Sequence, residues 1–136
     1  MMDKRTLAIA LERIAKAYPD VRTELDYETP FQFLVAVMLS AQTTDKQVNK
    51  VTPEYFKIVR TPEDALRVSP EDTERLLSGV NYFKTKAKHV RLTAEKLSRD
   101  FHSEIPKDIV QIRTLPGVGV KTAKVVLSVL YDLPFV

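Results

Sequence analysis

Two glycines and two lysines near residue 120 are the residues of this chain best suited to chemistry. Gly117 and Gly119 flank Val118, and Lys121 and Lys124 follow at the start of a segment with helical periodicity. A neutral lysine amine is a nucleophile, and glycines let backbone amides approach a ligand without an intervening Cβ. The pattern is therefore typical of a covalent lysine chemistry or of an anion-binding turn.

The spacing of the glycines predicts a tight hairpin that leads into a helix. Free N–H groups and the positive end of the helix dipole converge at such a helix start, which favours one phosphodiester group. Contacts of this kind hold a nucleic-acid backbone and do not read base sequence. We expect DNA contacts from Gly117, Val118, Gly119, Val120, Thr122 and Lys124.

The hairpin, LPGVGVKTA over residues 115–123, resembles the helix-hairpin-helix of the endonuclease III family of DNA glycosylases. The resemblance extends to Thr29-Pro30-Phe31, to LSAQTTD over residues 39–45 and to Lys86-Ala87, and so covers most of the chain. It implies an all-α fold, consisting of the six-helix barrel of these glycosylases and an N-terminal helix.

This resemblance implies that Lys121 is the nucleophile of a bifunctional glycosylase and abasic-site lyase that acts on oxidised pyrimidines in duplex DNA. Lys121 would attack C1′ of an extruded nucleotide, and the resulting Schiff base would allow β-elimination. The alternative is a solvated lysine that binds phosphate in a non-catalytic DNA-binding fragment. A helical protein-interaction domain is a third class, and it gives no reason for paired glycines beside a basic helix.

Three more residues are expected to contact DNA. Gln42 matches the family position whose side chain fills the gap left by the extruded nucleotide; the alternative is a polar helix end with local hydrogen bonds. Tyr82 falls near the position of an apolar wedge, but residues 80–84 (VNYFK) depart from the family pattern, and core packing is the alternative. Lys84 is the third of these expected DNA contacts. Asp45 is not included, because it is interpreted as an N-cap or first-turn acid of a helix.

Proline and glycine punctuation with apolar periodicity predicts helices throughout. They occupy residues 3–17, Thr29-Pro30 to Gln42, a segment from Asp45 with a kink or restart at Pro53, two short segments after Thr61 and Ser69, Phe83 to Phe101, a segment from Pro106, and a last one after Gly119. The family resemblance divides the chain into an N-terminal helix over about 1–20, part of a second domain, and a barrel over 21–136. The helix-hairpin-helix occupies about 106–131.

Charge is distributed unevenly along the 136 residues. The net charge is only +3, but residues 84–124 carry ten basic and four acidic side chains, which favours a polyanionic partner. The absence of cysteine excludes disulfides and thiolate catalysis. Because no apolar run is long enough for a membrane span, we expect a cytoplasmic protein. The family resemblance implies that it is associated with a bacterial or archaeal nucleoid.

Two parts of the family pattern are missing from the sequence. The catalytic aspartate is expected in a valine-aspartate-threonine-histidine run, which is absent, and Asp132 does not match it. The family's four-iron, four-sulfur cluster needs four cysteines, so we expect no cofactor or metal in this chain and the cluster only in a C-terminal segment. A truncated chain is therefore expected, with unpaired apolar surface on Leu7, Leu11 and Ile14 that favours self-association.

Overall fold

The computed structural model describes residues 23–133 and contains seven α-helices in that range. They are α1 (Pro30–Leu39), α2 (Asp45–Ile58), α3 (Pro62–Arg67), α4 (Pro70–Leu76), α5 (Phe83–Asp100), α6 (Ile109–Ile112) and α7 (Val120–Tyr131). No strand occurs between residues 23 and 133, in agreement with the predicted all-α class. The predicted helix over 3–17, with Leu7, Leu11 and Ile14, lies outside the described residues. None of the described helices has the length and apolar character needed to cross a bilayer.

Helix α1 forms the centre of the core because it is apolar on all sides. Thr29 starts it with a capping box, in which its hydroxyl accepts from the Gln32 N–H at 3.1 Å and the Gln32 side chain accepts from the Thr29 N–H at 3.2 Å. Every residue from Phe31 to Leu39 is buried. The buried Gln32 amide also donates to the Val59 carbonyl at 2.9 Å, so it is satisfied within the core.

Side-chain caps start the next three helices, and two of them lie at the predicted starts Thr61 and Ser69. Thr44, Thr61 and Ser69 accept hydrogen bonds from the N–H groups of Gln47, Asp64 and Asp72, at 3.1, 3.1 and 3.0 Å. Helix α2 continues through Pro53 without the predicted restart. Pro53 is exposed, and its missing N–H leaves one intrahelical hydrogen bond unmade.

Helix α5 is the longest described helix and contacts α1, α3 and α4, while α7 contacts α1 and α6. The predicted apolar stripe of α5, which includes Val90, Ala94 and Leu97, is buried. Helix α6 begins at Ile109 and not at Pro106, because the Asp108 side chain caps it. Since α1 contacts both long helices, the loop after α1 lies close to the first turns of α5 and α7.

Candidate nucleic-acid interface

The hairpin between α6 and α7 is fixed to helix α5. Gly117 has a φ of +79°, and a Cβ at this position would lie 2.9 Å from the Cβ of His89 on α5. One turn further along α5, the Thr93 hydroxyl donates to the Pro116 carbonyl at 2.7 Å. Glycine at 117 is therefore required both by the left-handed backbone and by the close approach of α5.

The tip of the hairpin has no such internal requirement for glycine. Gly119 has an extended backbone, and a Cβ there would meet no atom within 4 Å. It is the N-cap residue of α7, which has no side-chain cap. The N–H groups of Val120, Lys121 and Thr122 have no backbone partner among the described residues. This helix start therefore presents free donors and an unobstructed approach to an anion.

Not every residue of the predicted DNA-contact set presents a group to a ligand. The Val118 side chain is buried, and its N–H donates to the Leu115 carbonyl at 3.1 Å, so Val118 anchors the hairpin from inside. Val120 is exposed, whereas Thr122 and Lys124 are half-buried in the first turns of α7. The donors available at the surface thus come from the residues that follow Val118.

Lys121 lines a cleft of about 350 Å³ between the start of α7 and the end of α1. Gln42 and Asp45 line the same cleft, although they are distant from Lys121 in the sequence. The Lys121 side chain is exposed and forms no ion pair with the residues described. The fold therefore brings the predicted nucleophile and the predicted gap-filling residue to one site.

Asp45 supplies the carboxylate in the described lining of this cleft. It is the first residue of α2, with Thr44 as the N-cap, which confirms its interpretation as a first-turn acid. The cleft thus combines an amine and a carboxylate on two different helix starts.

Gln42 lies in the loop after α1 with a left-handed backbone, φ 58°. The Asn81 side-chain amide donates to the Gln42 carbonyl at 2.5 Å, and the Asn81 N–H donates to the Thr43 hydroxyl at 3.0 Å. The Gln42 side chain is exposed and forms no hydrogen bond within residues 23–133. Its backbone is held while its side chain is available, unlike the alternative of a locally bonded helix end.

Tyr82 and Lys84 lie at the start of α5. Tyr82 also has a φ of 58° and is 67% exposed, so core packing does not account for it. Lys84 is exposed and lines a separate groove, together with Lys88 and Arg91, where α5 faces α3 and α4. The structure places Tyr82 next to Asn81 and hence beside the Gln42 loop, but it does not bring Lys84 into the Lys121 cleft.

Lys86 is a buried residue to which sequence reasoning assigned no role. Its side chain donates to the Leu39 carbonyl at 2.9 Å, to the Ala41 carbonyl and to the Thr43 hydroxyl at 3.3 Å. Burial lowers the pKa of this ammonium. The sequence contains one indication of this burial, which is helical register. Lys86 precedes Val90 by one helical turn and so falls on the buried stripe of α5.

The sequence has no cysteine, and residues 23–133 contain no cluster of three or more His, Asp or Glu side chains that could hold a metal ion. The thiolate ligands of a four-iron, four-sulfur cluster are therefore absent from this sequence, and the expectation that the chain holds no cofactor stays a prediction.

Comparison with protein families gives a match over residues 35–129 to the model described as HhH-GPD superfamily base excision DNA repair protein. Endonuclease III of Bacillus subtilis is 36% identical over 134 residues, which are 98% of this chain and 61% of the relative. Endonuclease III of Synechocystis is 43% identical over 117 residues, covering 85% of this chain and 52% of the relative. The resemblance inferred from the hairpin is confirmed.

Solved structures agree with this result. A trapped covalent endonuclease III–DNA intermediate is 39% identical and has a TM-score of 0.81, over 98% of this chain and 63% of that one. A thermostable thymine-DNA glycosylase, at 19% identity and a TM-score of 0.75, shares the fold. The chain spans about half to three fifths of the length of the curated relatives named above.

Proposed function

Because the chain belongs to the HhH-GPD superfamily of base excision DNA repair proteins, we propose that it binds damaged duplex DNA as a glycosylase and abasic-site lyase. The substrate class is duplex DNA with an oxidised pyrimidine or an abasic site. The observation that carries the proposal is the cleft in which Lys121, at the start of α7, meets Gln42 of the loop after α1.

The hairpin and the start of α7 bind the DNA backbone in this proposal. The N–H groups of Val120, Lys121 and Thr122 have no backbone partner among the described residues and lie in the first turn of α7, where the helix dipole has its positive end. Gly119 leaves room for a phosphate because no Cβ stands in the way. Binding through these groups is independent of base sequence, and it fixes where the duplex lies relative to the cleft.

Lys121 is the proposed catalytic residue. With the damaged nucleotide turned out of the helix, the Nζ lone pair forms a bond to C1′, and the base leaves with the electrons of the glycosidic bond. The departing base takes up one proton from Nζ. The Nζ lone pair then forms the C1′=Nζ bond of an iminium as the C1′–O4′ bond breaks, and O4′ takes up a proton from solvent. Loss of a proton from C2′ then expels the 3′ phosphate together with the electrons of the C3′–O bond.

Extrusion of the nucleotide requires groups that enter the duplex in its place. Gln42 lines the Lys121 cleft with an unbonded amide side chain, so it is suited to occupy the gap. Tyr82 is an exposed aromatic on the neighbouring turn and is suited to stack in the opposite strand. Both assignments stay predictions, and so does the role of Lys121.

The test is borohydride trapping of the 136-residue chain on a duplex with one abasic site. An amine nucleophile gives a reducible imine, so the wild type and Lys124→Ala are expected to form a covalent adduct and Lys121→Ala is not. Lys124 is the matched control because it is on the same helix and does not line the cleft. Release of an oxidised pyrimidine from a second duplex tests the glycosylase step.

Two results would contradict this proposal. An adduct that persists in Lys121→Ala assigns the nucleophile to another amine. No adduct with any variant, together with salt-sensitive binding to duplex DNA, makes the chain a non-catalytic DNA-binding unit.

A further inference from the structure

Lys86 holds the loop after α1 through all three of its N–H donors. Its acceptors are the Leu39 carbonyl, the Ala41 carbonyl and the Thr43 hydroxyl, which belong to the last residue of α1 and to the loop after it. An ammonium has three donors, so its hydrogen-bonding capacity is filled. Because the side chain is only 8% exposed and its donors are occupied, Lys86 is not available to bind a DNA phosphate.

The cation also completes the end of α1. Helix α1 has no basic residue in its last turn, so its C-terminal carbonyls and the negative end of its dipole are not neutralised from within the helix. Lys86 supplies that charge from α5. Burying an ammonium is unfavourable unless it is fully hydrogen-bonded, and here the loop carbonyls meet that condition.

Asn81 holds the same loop from a second direction. Its side chain donates to the Gln42 carbonyl, while its N–H donates to the Thr43 hydroxyl, which Lys86 also uses. Two consecutive carbonyls are therefore fixed. Lys86 holds the carbonyl of Ala41, which precedes the Gln42 Cα, and Asn81 holds the carbonyl of Gln42 itself. A non-glycine residue in the left-handed region persists only where its surroundings fix it in this way.

The same two residues connect the Gln42 loop to Tyr82. Asn81 precedes Tyr82 in the chain, and the backbone N–H of Lys86 donates to the Tyr82 carbonyl at 3.0 Å. Tyr82 has the same left-handed φ of 58° as Gln42, and both side chains are exposed. Two strained backbones with free side chains are thus joined through Lys86 and Asn81.

We propose that Lys86 is a positioning residue that, with Asn81, locks the backbones of Gln42 and Tyr82 together so that both side chains enter damaged DNA from one rigid support. This inference rests on the proposed function, because it assigns the two side chains to the distortion of the duplex. It adds a residue that touches neither the DNA nor the reacting atoms. A flexible loop in its place would present the same side chains, but ordering them on binding would reduce affinity for the distorted duplex.

The first test needs no DNA. Amide order parameters of Gln42 and Tyr82, measured by NMR, are expected to be near about 0.85 in the wild type and to fall below about 0.6 in Lys86→Met. The amides of Val126 and Leu127 in the buried part of α7 are the internal control and are expected to remain rigid. If Gln42 and Tyr82 remain rigid in folded Lys86→Met, the lock does not exist and the proposal is wrong.

The second test compares binding to an undamaged duplex with binding to a duplex that contains a tetrahydrofuran abasic analogue. Lys86→Met is expected to lose about tenfold or more of the preference for the analogue, because small misplacements of positioned groups have large effects. Binding to undamaged duplex is expected to change little, since the hairpin is intact. An equal loss on both duplexes would indicate a merely structural role and would overturn the proposal.

Chemical rescue separates the ammonium from the side-chain volume. The chain has no cysteine, so Lys86→Cys introduces a single thiol that 2-bromoethylamine alkylates in denaturant to a lysine analogue of nearly equal length. After refolding, the aminoethylated protein is expected to regain the preference that Lys86→Met loses. Wild type carried through the same treatment is the control, and failure of a folded, aminoethylated protein to recover would contradict the role of the cation.

Asn81→Ala keeps the test decisive even if the Lys86 variants fail to fold. Asn81 is exposed, so its truncation is expected to leave the fold intact and to reduce the preference for the analogue by about threefold through loss of one hydrogen bond. An unchanged preference and an unchanged Gln42 order parameter would overturn the lock. A wild type without any preference and without borohydride trapping instead contradicts the proposed function, and the order parameters still decide whether the lock exists.

Discussion

The start of α7 and the loop after α1 meet at one cleft but use their backbones in opposite ways. At the start of α7, the N–H groups of Val120, Lys121 and Thr122 have no backbone partner among the described residues. In the loop, the carbonyls of Ala41 and Gln42 are both bound, by Lys86 and Asn81. The first region offers its backbone to a ligand, whereas the second binds its backbone internally and offers side chains.

In the proposed function, the two regions carry out different tasks. Backbone amides at a helix start recognise any phosphate, which suits a search along undamaged DNA. Side chains on a fixed backbone suit the distortion of one nucleotide, because they enter the duplex without further loss of conformational freedom. Variants of the hairpin should therefore affect all duplexes, whereas variants of the loop should affect damaged duplexes alone.

The largest expected effect is that of Gly117→Ala on stability. The left-handed φ and the approach of the new Cβ to His89 together predict a loss of about 3 kcal/mol in the free energy of unfolding, measured in urea. The double variant with His89→Gly, which removes the opposing Cβ together with the imidazole, is expected to recover the part caused by crowding and to keep the part caused by φ. No recovery relative to the two single variants would show that His89 is not the obstacle.

Gly119→Ala is the matched control within the same hairpin. Its Cβ meets nothing, so the free energy of unfolding should fall by less than about 1 kcal/mol, the usual effect of alanine at an N-cap. Its affinity for duplex DNA is expected to fall about tenfold, on damaged and undamaged duplexes alike, because the Cβ holds a phosphate away. Unchanged affinity in a titration followed by fluorescence anisotropy would place the phosphate elsewhere.

Gln42→Gly tests the loop in the same way. Glycine relieves the left-handed strain, so stability is expected to stay constant or rise by up to about 1 kcal/mol. Preference for an abasic duplex over an undamaged one is nevertheless expected to fall several-fold, because the inserting side chain is gone. Gln42→Asn, which tolerates the left-handed region and keeps an amide, should lose less of this preference.

The smallest effect is expected at a left-handed turn that lines no part of the Lys121 cleft. The Ser103 hydroxyl donates to the Glu63 carboxylate, and this bond is the main cause of the lowered pKa of Glu63. A carboxyl whose pKa is lowered in the folded state stabilises the fold when the pH is above the ordinary glutamate pKa. This stabilisation is lost as the pH falls through the pKa of the folded state. Ser103→Ala should therefore lower stability by under about 1 kcal/mol at pH 7, after solvent screening.

The pH dependence provides the control for that variant. The difference between wild type and Ser103→Ala in thermal melts should decrease as pH is lowered through the Glu63 pKa, because the carboxyl is then protonated in both proteins. Duplex binding should be unchanged at neutral pH. A change in the preference for abasic DNA would contradict the expectation that only residues of the Lys121 cleft and its loop determine this preference.

Several elements could be predicted from local sequence because their causes are local. Thr29, Thr61 and Ser69 each precede a proline and cap the helix that starts there, and the hydrogen bonds involved span three residues. Helix α6 was placed less well, since Pro106 and Asp108 both suit a helix start and the cap at Asp108 prevails. Gly117 was predicted for its backbone, but the contact with His89 that also requires it was not.

The candidate site was predicted in part. Lys121, Gln42 and Tyr82 were singled out by family resemblance, and the fold places Lys121 and Gln42 on one cleft. Val118 was included with the DNA contacts because its position in the hairpin is evident, although its buried side chain and bonded N–H are not. The helical register of Lys86 put it on a buried stripe, but no sequence feature identified the acceptors that make its burial tolerable.

Most of the described helices, several of their caps, the hairpin and the family follow from the sequence alone, because each depends on short-range backbone preferences or on contiguous motifs. Tertiary structure alone decided that Lys86 would neutralise the end of α1 and that Asn81 would hold Gln42. The physical reason is that a buried charge is stable only where distant carbonyls converge on it. That convergence follows from the packing of α1 against α5, which no local preference specifies.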